Sequence, residues 1–308
     1  MGLSAFFIKF IRLFWGKYMS KVWKSILLVF LLLFANSAWG QSRYALLIGI
    51  GDYPEASGWN KIHGNNDISI IKPTLMRQGF PDEAIVQLLD SAATKNNILK
   101  ALENLAARLQ SGDVAYIHFS GHGQQMSDLN GDEEDGFDEA WIPYDAKKKY
   151  EPGVYEGNNH LTDDELNEIF TRLRVRVGAK GKIIVIADAC HSGSGSRGQL
   201  DEEVYVRGTG DKFILPRQNS NIIKKPEPTE WLFVAACKPY QSNYEYRTPE
   251  GVYYGVLSYT IATEQRRLDI CKYSELLLEW SKSVSEKSRY PQDLDTDGQP
   301  SRRSTYMF

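Results

Sequence analysis

Two short apolar runs constrain this chain most, because each stops at a turn of small residues that carries one reactive side chain. Residues 114–119 run into Ser120-Gly121-His122-Gly123, and residues 183–187 run into Asp188-Ala189-Cys190-His191-Ser192-Gly193. Apolar runs of this length, bounded by turn residues, predict fully buried strands. Further strands are predicted at residues 44–50, 84–89 and 231–236, with a short closing strand at 304–308. Helical spacing appears at Ile68, Ile71, Leu75 and Met76 within residues 67–78. It recurs at Ile98, Leu99, Leu102, Leu105 and Leu109 behind a Thr94 cap, and at Leu166, Ile169 and Phe170 behind a Thr162–Glu165 capping box. Residues 256–264 and 274–285 also read as helices. Strands alternating with helices predict an α/β chain, a three-layer α/β/α sandwich on a mostly parallel sheet. Residues 123–145 and 192–229 read as irregular, and loops this long are functional or disordered. With no internal repeat and no second core, residues 41–308 are expected to form one catalytic domain.

The first forty residues differ from the rest. They carry Lys9, Arg12, Lys17, Lys21 and Lys24 and no acid, then an apolar run at 26–34, then Ala38 and Gly40 in small-x-small spacing before Gln41. A basic stretch, a short apolar stretch and a small-residue site predict a cleaved signal peptide over 1–40, with Met19 as an alternative start. The apolar run is short of the roughly 20 residues a spanning helix needs, so no stable membrane span is expected after cleavage. Removal of 1–40 leaves 31 basic and 39 acidic residues. An exported, mildly acidic chain, periplasmic or extracellular, is not expected to bind nucleic acid.

In open parallel sheets the ligand crevice lies at the carboxyl ends of the strands. His122 and Cys190 both fall there. A cysteine attacks as its thiolate, a nearby imidazole generates that thiolate and later protonates the leaving amine, and fixed donors hold the oxyanion. Cys190 as nucleophile, His122 as base, and the N–H groups of Gly123 and Cys190 as oxyanion donors follow from this placement. His191 is adjacent to Cys190, but neighbouring side chains diverge. His118 alternates within a strand and reads as packed, while His63 and His160 show no partner pattern. Three cysteines, Cys190, Cys237 and Cys271, are too few for a disulfide scaffold. A Cys237–Cys271 pair would still leave Cys190 a free thiol.

The runs Tyr44-Ala45-Leu46-Leu47-Ile48-Gly49-Ile50, Asn66-Asp67, Ser120-Gly121-His122-Gly123 and Asp188-Ala189-Cys190-His191-Ser192-Gly193 resemble, in order, the caspase-like peptidases. Within these the chain is most similar to metacaspases and their bacterial relatives. The resemblance implies a caspase-haemoglobinase fold, a His122–Cys190 dyad, a peptide or protein substrate and a monomer. It implies cleavage after Arg or Lys, with Asp67, Ser120 and Asp188 receiving the basic side chain. Two carboxylates near one site repel each other when empty, and a guanidinium relieves that. The resemblance further implies calcium activation through Asp138, Asp163 and Asp164, and no organic cofactor. Acids in a first helical turn also favour the helix dipole without any metal. Residues 128–132 and 293–298 carry parts of a calcium loop but lack its spacing or final Glu, and read as polar turns. The basic residues of 192–229 offer sites for self-cleavage. A non-catalytic binding module of the same fold, and a Cys-His hydrolase or transferase acting on a small substrate, stay open as alternatives.

Overall fold

The computed structural model describes residues 41–131, 133, 135–191, 204–216, 231–268, 271–297 and 307. The expected signal peptide, most of the 192–229 loop and nearly all of the expected closing strand lie outside these residues.

The sheet begins at β1 (Arg43–Gly49), and the chain then forms α1 (Gly64–Arg77), β2 (Ile85–Leu89), α2 (Lys95–Arg108) and β3 (Val114–Ser120). A small antiparallel sheet comes next, from β4 (Gly123–Ser127), β5 (Phe137–Trp141) and β6 (Leu161–Thr162). Beyond it lie α3 (Asp163–Val177), β7 (Lys182–Asp188), β8 (Leu232–Ala235), the hairpin β9 (Glu245–Arg247) and β10 (Tyr253–Gly255), α4 (Val256–Thr263), α5 (Tyr273–Lys287) and β11 (Asp295–Asp297).

The main sheet has the order β11-β8-β7-β3-β1-β2, parallel throughout except at β11. Strand periodicity sorts its side chains to two faces. Leu46, Ile48, Ile117, Phe119 and Val185 pack with Ile98 and Leu102 of α2 and Leu166, Ile169 and Phe170 of α3. Ala45, Leu47, Tyr116, Ile184 and Ile186 pack with Ile68 and Ile71 of α1, Leu257 of α4 and Trp280 of α5. These are the two outer layers of the expected α/β/α sandwich. Both expected caps form: Thr94 accepts from Asn97 N–H, and Thr162 and Glu165 make a reciprocal capping box.

Three elements depart from expectation. Residues 123–145 are not irregular throughout, since β4 and β5 pair within them; runs such as Gly123-Gln124-Gln125 hide a strand behind polar side chains. The edge of the sheet beyond β8 is closed by antiparallel β11, inside the stretch read as a polar turn. Helix α1 starts at Gly64 rather than Asp67, because that end abuts the strand tips. A Cβ on Gly64 would lie 2.6 Å from the Ile50 carbonyl oxygen and would also strike that of Ser120. This close seat carries Asp67 into place. Gly64→Ala is expected to destabilise the chain by about 1–3 kcal/mol. Denaturant unfolding checks this, and a loss below about 0.5 kcal/mol, the scale of a neutral surface change, would contradict so tight a seat.

Candidate active site

Strand register lines up the site. Gly49 pairs with Ser120 across β1 and β3, and Ser120 pairs with Asp188 across β3 and β7. The turns after β3 and β7 therefore sit side by side. A Cβ on Gly123 would lie 2.7 Å from the Cys190 carbonyl oxygen, so the residue after His122 must be glycine for the two turns to meet.

His122 is buried in an aromatic corner. Its ring stacks on Trp59 with centroids 4.7 Å apart and lies 4.9 Å from the Tyr53 ring. Its N–H donates to the Tyr53 hydroxyl at 3.0 Å, and that hydroxyl donates to the Ile142 carbonyl at 2.8 Å. The ring Nε2 lies 2.8 Å from the Asn60 carbonyl oxygen. A carbonyl only accepts, so Nε2 carries the proton and Nδ1 is the basic atom. Nδ1 is buried with no hydrogen-bond partner among the described residues. Burial lowers the His122 pKa to about 4 against a weaker raising effect of Asn60, so the ring is neutral near pH 7. Asn60 contributes through its backbone, and no sequence pattern marks such a group.

Cys190 is buried, and its thiol donates to the Gln241 carbonyl at 2.7 Å. Cys237 reaches the same carbonyl at 3.5 Å. All three cysteines are free thiols, so no Cys237–Cys271 pair forms. The Cys190 N–H donates at 2.7 Å to the carbonyl oxygen of Arg207. His191 is half-buried with its Nε2 inaccessible, and its ring lies against the Gly123 backbone.

Asp67, Ser120 and Asp188 do come together, around the guanidinium of the chain's own Arg207. All four side chains are inaccessible to solvent. Arg207 Nη1 donates to Asp67 Oδ2 and to Ser120 Oγ, both at 2.6 Å, and lies 3.6 Å from Asp188 Oδ1. Ser120 Oγ also donates to Asp67 Oδ2. Asp188 is held by Asn243 Nδ2 at 2.8 Å, and by Ser258 through N–H at 2.7 Å and Oγ at 2.6 Å. Burial pulls Asp188 upward, but Arg207, Asn243 and Ser258 more than offset this and hold its carboxyl below the ordinary range. Burial and the neighbouring Asp188 charge push Asp67 up to about 6, with Arg207 opposing.

A third acid completes the enclosure. Glu245 Oε1 accepts from Arg207 Nε at 3.0 Å and Nη2 at 2.9 Å. Glu245 also accepts the His63 N–H at 2.7 Å and lies 2.6 Å from His63 Nδ1. His63, with no partner pattern in the sequence, is thus part of the site. His160, equally unmarked, is buried among other partners, between Tyr155 hydroxyl at 2.8 Å and Gln124 Oε1 at 2.9 Å. His118 is packed as expected, 3.0 Å from Ser258 Oγ.

The main chain around Arg207 lies along the edge at β9. Arg207 N–H donates to the Asn243 carbonyl at 2.9 Å, Glu245 N–H donates to the Tyr205 carbonyl at 3.0 Å, and Val206 bridges Tyr244 in antiparallel fashion. This is how an extended peptide adds to a strand edge.

The expected calcium ligands lie apart from this cleft. Pairing of β5 with β6 brings Asp138 toward Asp163 and Asp164 in the first turn of α3. Burial, then Glu139, Asp138 and Asp164, push the Asp163 carboxyl up to about 8. The oxygens are of the kind calcium takes. Among the described residues, no three acidic, histidine or cysteine side chains converge as a metal site.

A family model described as the caspase domain matches residues 42–302. The chain is similar to Metacaspase-1B of Aspergillus fumigatus, 38% identical over 169 residues, 52% of this chain and 38% of that protein. It is similar to Metacaspase-1 of Eremothecium gossypii, 37% identical over 162 residues, 50% of this chain and 32% of that protein. The match thus spans well under half the length of these relatives. The crystal structure of protein GSU0716 from Geobacter sulfurreducens superposes with a TM-score of 0.58, covering 86% of this chain and 97% of that one at 22% identity. That likeness speaks to the fold alone.

Buried histidines set an acid limit on stability. Burial lowers His118, His122 and His191 to about 4 and His160 to about 3. Each stays neutral when folded and gains a proton on unfolding below about pH 6.5, so stability falls as pH drops from about 6.5 toward 4. Asp67 and Asp163, with raised values, act in the opposite sense, and the histidines outnumber them. The Tm is expected to fall between pH 7 and 4.5, less steeply in His160→Gln. A Tm that holds or rises over that interval would contradict this account.

Proposed function

This chain belongs to the caspase-domain family, and from that premise we propose that it is a cysteine endopeptidase cutting after arginine or lysine. The observation that carries the reading is the pose of Arg207. A native arginine lies in an acidic enclosure with its carbonyl oxygen on the Cys190 N–H at 2.7 Å. A substrate arginine in that pose presents its carbonyl carbon to Cys190.

In this reading the Cys190 thiol gives its proton to Nδ1 of His122, and the thiolate sulfur bonds to the carbonyl carbon. The Asn60 carbonyl holds Nε2 and so keeps Nδ1 as the proton carrier. The oxyanion takes the N–H of Cys190, with Gly123 N–H as the second expected donor. The carbon–nitrogen bond then breaks, and His122 returns the proton to the leaving amine. A thioester remains. Water, giving one proton to His122, adds to it; the carbon–sulfur bond breaks, releasing the carboxylate and restoring the thiol.

Self-processing is part of the same reading, and the pose of Arg207 supports one bond as its site. Arg207–Gly208 lies across Cys190, and a Cβ on Gly208 would strike the Cys190 carbonyl. Incubated chain is expected to be cut between Arg207 and Gly208, as read by mass spectrometry of the new termini. Cys190→Ala should abolish the cut, and His122→Ala should slow it by about 10²–10⁴-fold. Peptide reporters ending in Arg or Lys, but not Asp, should be turned over. An intact chain with no turnover of any reporter would sink the proposal.

Calcium activation at Asp138, Asp163 and Asp164 and export through residues 1–40 complete the proposal. No catalytic step runs through the metal. Among the described residues no helix is long and apolar enough to cross a membrane. Millimolar calcium is expected to raise the Tm of the chain at pH 8 and to do so less in Asp163→Asn. An unchanged Tm in both would remove calcium from the account.

A further inference from the structure

We propose that the cleft reads two side chains of its substrate at once, arginine before the cut bond and an aromatic residue two positions upstream, through Glu245 and His63. This rests on the peptidase reading above and adds the substrate class, peptides of the form aromatic-x-Arg.

The arginine meets different acids at different nitrogens. Asp67 and Ser120 both meet Nη1, a place that a lysine ammonium could fill. Glu245 Oε1 instead accepts from Nε and Nη2 together. Lysine has no donor at the Nε position, and only a planar guanidinium offers the pair. Charge-assisted bonds of this kind are the strong ones, more so where water is excluded. Glu245 is therefore the acid that distinguishes arginine from lysine. It is fixed in place by the two contacts from His63.

The upstream residue meets the same pair. Glu245 N–H donates to the Tyr205 carbonyl, which fixes the register of the peptide. The Tyr205 ring then lies edge-on to His63, with centroids 4.6 Å apart at 86°. His63 stacks on Tyr253 at 5.0 Å and 17°, and Tyr205 meets Tyr253 edge-on at 4.9 Å and 69°. Two rings thus form a corner that a third ring fills, an arrangement aromatic side chains favour. Val206, between the two read positions, bridges Tyr244 through its backbone. One histidine, then, orients the acid that takes the arginine and supplies a wall for the aromatic ring.

The test compares reporters ending in Tyr-Val-Arg, Ala-Val-Arg and Tyr-Val-Lys on wild type, Glu245→Gln and His63→Ala, full chain in each case. Wild type is expected to favour arginine over lysine by about 10–100-fold in kcat/KM, the scale of a lost charged hydrogen bond. Glu245→Gln should bring that ratio near one. Tyr-Val-Arg should exceed Ala-Val-Arg by about 2–10-fold, an aromatic-pair effect that His63→Ala removes. An unchanged arginine-to-lysine ratio in Glu245→Gln overturns the role of Glu245. Equal turnover of the two arginine reporters by wild type overturns the aromatic subsite.

A second arm needs no catalysis. In Cys190→Ala, trypsin cleavage after Arg207 is monitored by mass spectrometry, with cleavage after Arg174 reporting global unfolding. Adding Glu245→Gln or Tyr205→Ala should hasten release after Arg207 and leave Arg174 unchanged. If wild type turns over no reporter, the peptidase reading falls, while this arm still judges the two contacts. Unchanged release after Arg207 in both variants overturns the inference.

Discussion

One buried guanidinium faces three buried carboxylates, and the cleft is shaped by that imbalance. Removing the partner of a buried charge destabilises a protein by about 3–5 kcal/mol, because the remaining charge is left without solvent or counterion. The three acids do not depend on Arg207 equally. Asp188 is supplied with donors by Asn243 and Ser258 and is held low. Glu245 has His63. Asp67 has the weakest independent support, from Ser120 and the Gly255 N–H, and its carboxyl is the one pushed upward. Whatever replaces Arg207 must therefore bring a cation to Asp67 first. In the proposed reading, selection for a basic side chain follows from the cost of leaving the enclosure empty as much as from any added attraction.

The scaffold makes this arrangement with very little freedom. Ser120 and Asp188 are register partners at the ends of adjacent strands, so their spacing is fixed by backbone hydrogen bonds. Asp67 arrives from the first turn of α1, whose start is pressed onto the strand tips at Gly64. Asn243 and Glu245 differ by two positions along an extended edge, so both side chains point to the same face. One grips Asp188 and the other grips Arg207. Four segments far apart in sequence are held by sheet geometry rather than by the loops themselves.

Legibility in the sequence depended on how local each signal is. The buried strands and their helices could be read because apolar period and caps lie within a few residues of one another. The turns carrying His122 and Cys190 were legible for the same reason. The β4–β5 pair was not, because its residues are polar and their partners are cross-strand. His63 and Glu245 lie 182 residues apart, and no spacing rule joins them. Arg207 stood in the sequence as one of several basic residues in a long loop, and only the fold singles it out. The carbonyl of Asn60 had no signal at all, since every residue has one.

The segment around Arg207 is tied on both sides, and in the proposed reading the two ties govern how the cleft empties after a cut. Upstream, Tyr205 and Arg207 are paired to the β9 edge. Downstream, Phe213 exchanges backbone bonds with Gln125 and Ser127 of β4, at 2.8 and 3.0 Å, and the Asp211 carbonyl accepts from Gln124 at 2.8 Å. While the chain is intact these ties make the local concentration of Arg207 high, so a free peptide competes against an intramolecular neighbour. In that reading a break after Arg207 would separate the two ties and leave the new carboxylate where the Arg207 carbonyl sits, on the Cys190 N–H. The cut end would then be held by the β9 edge and the acidic enclosure alone, without the second tie that keeps the intact segment close, so it would leave more readily.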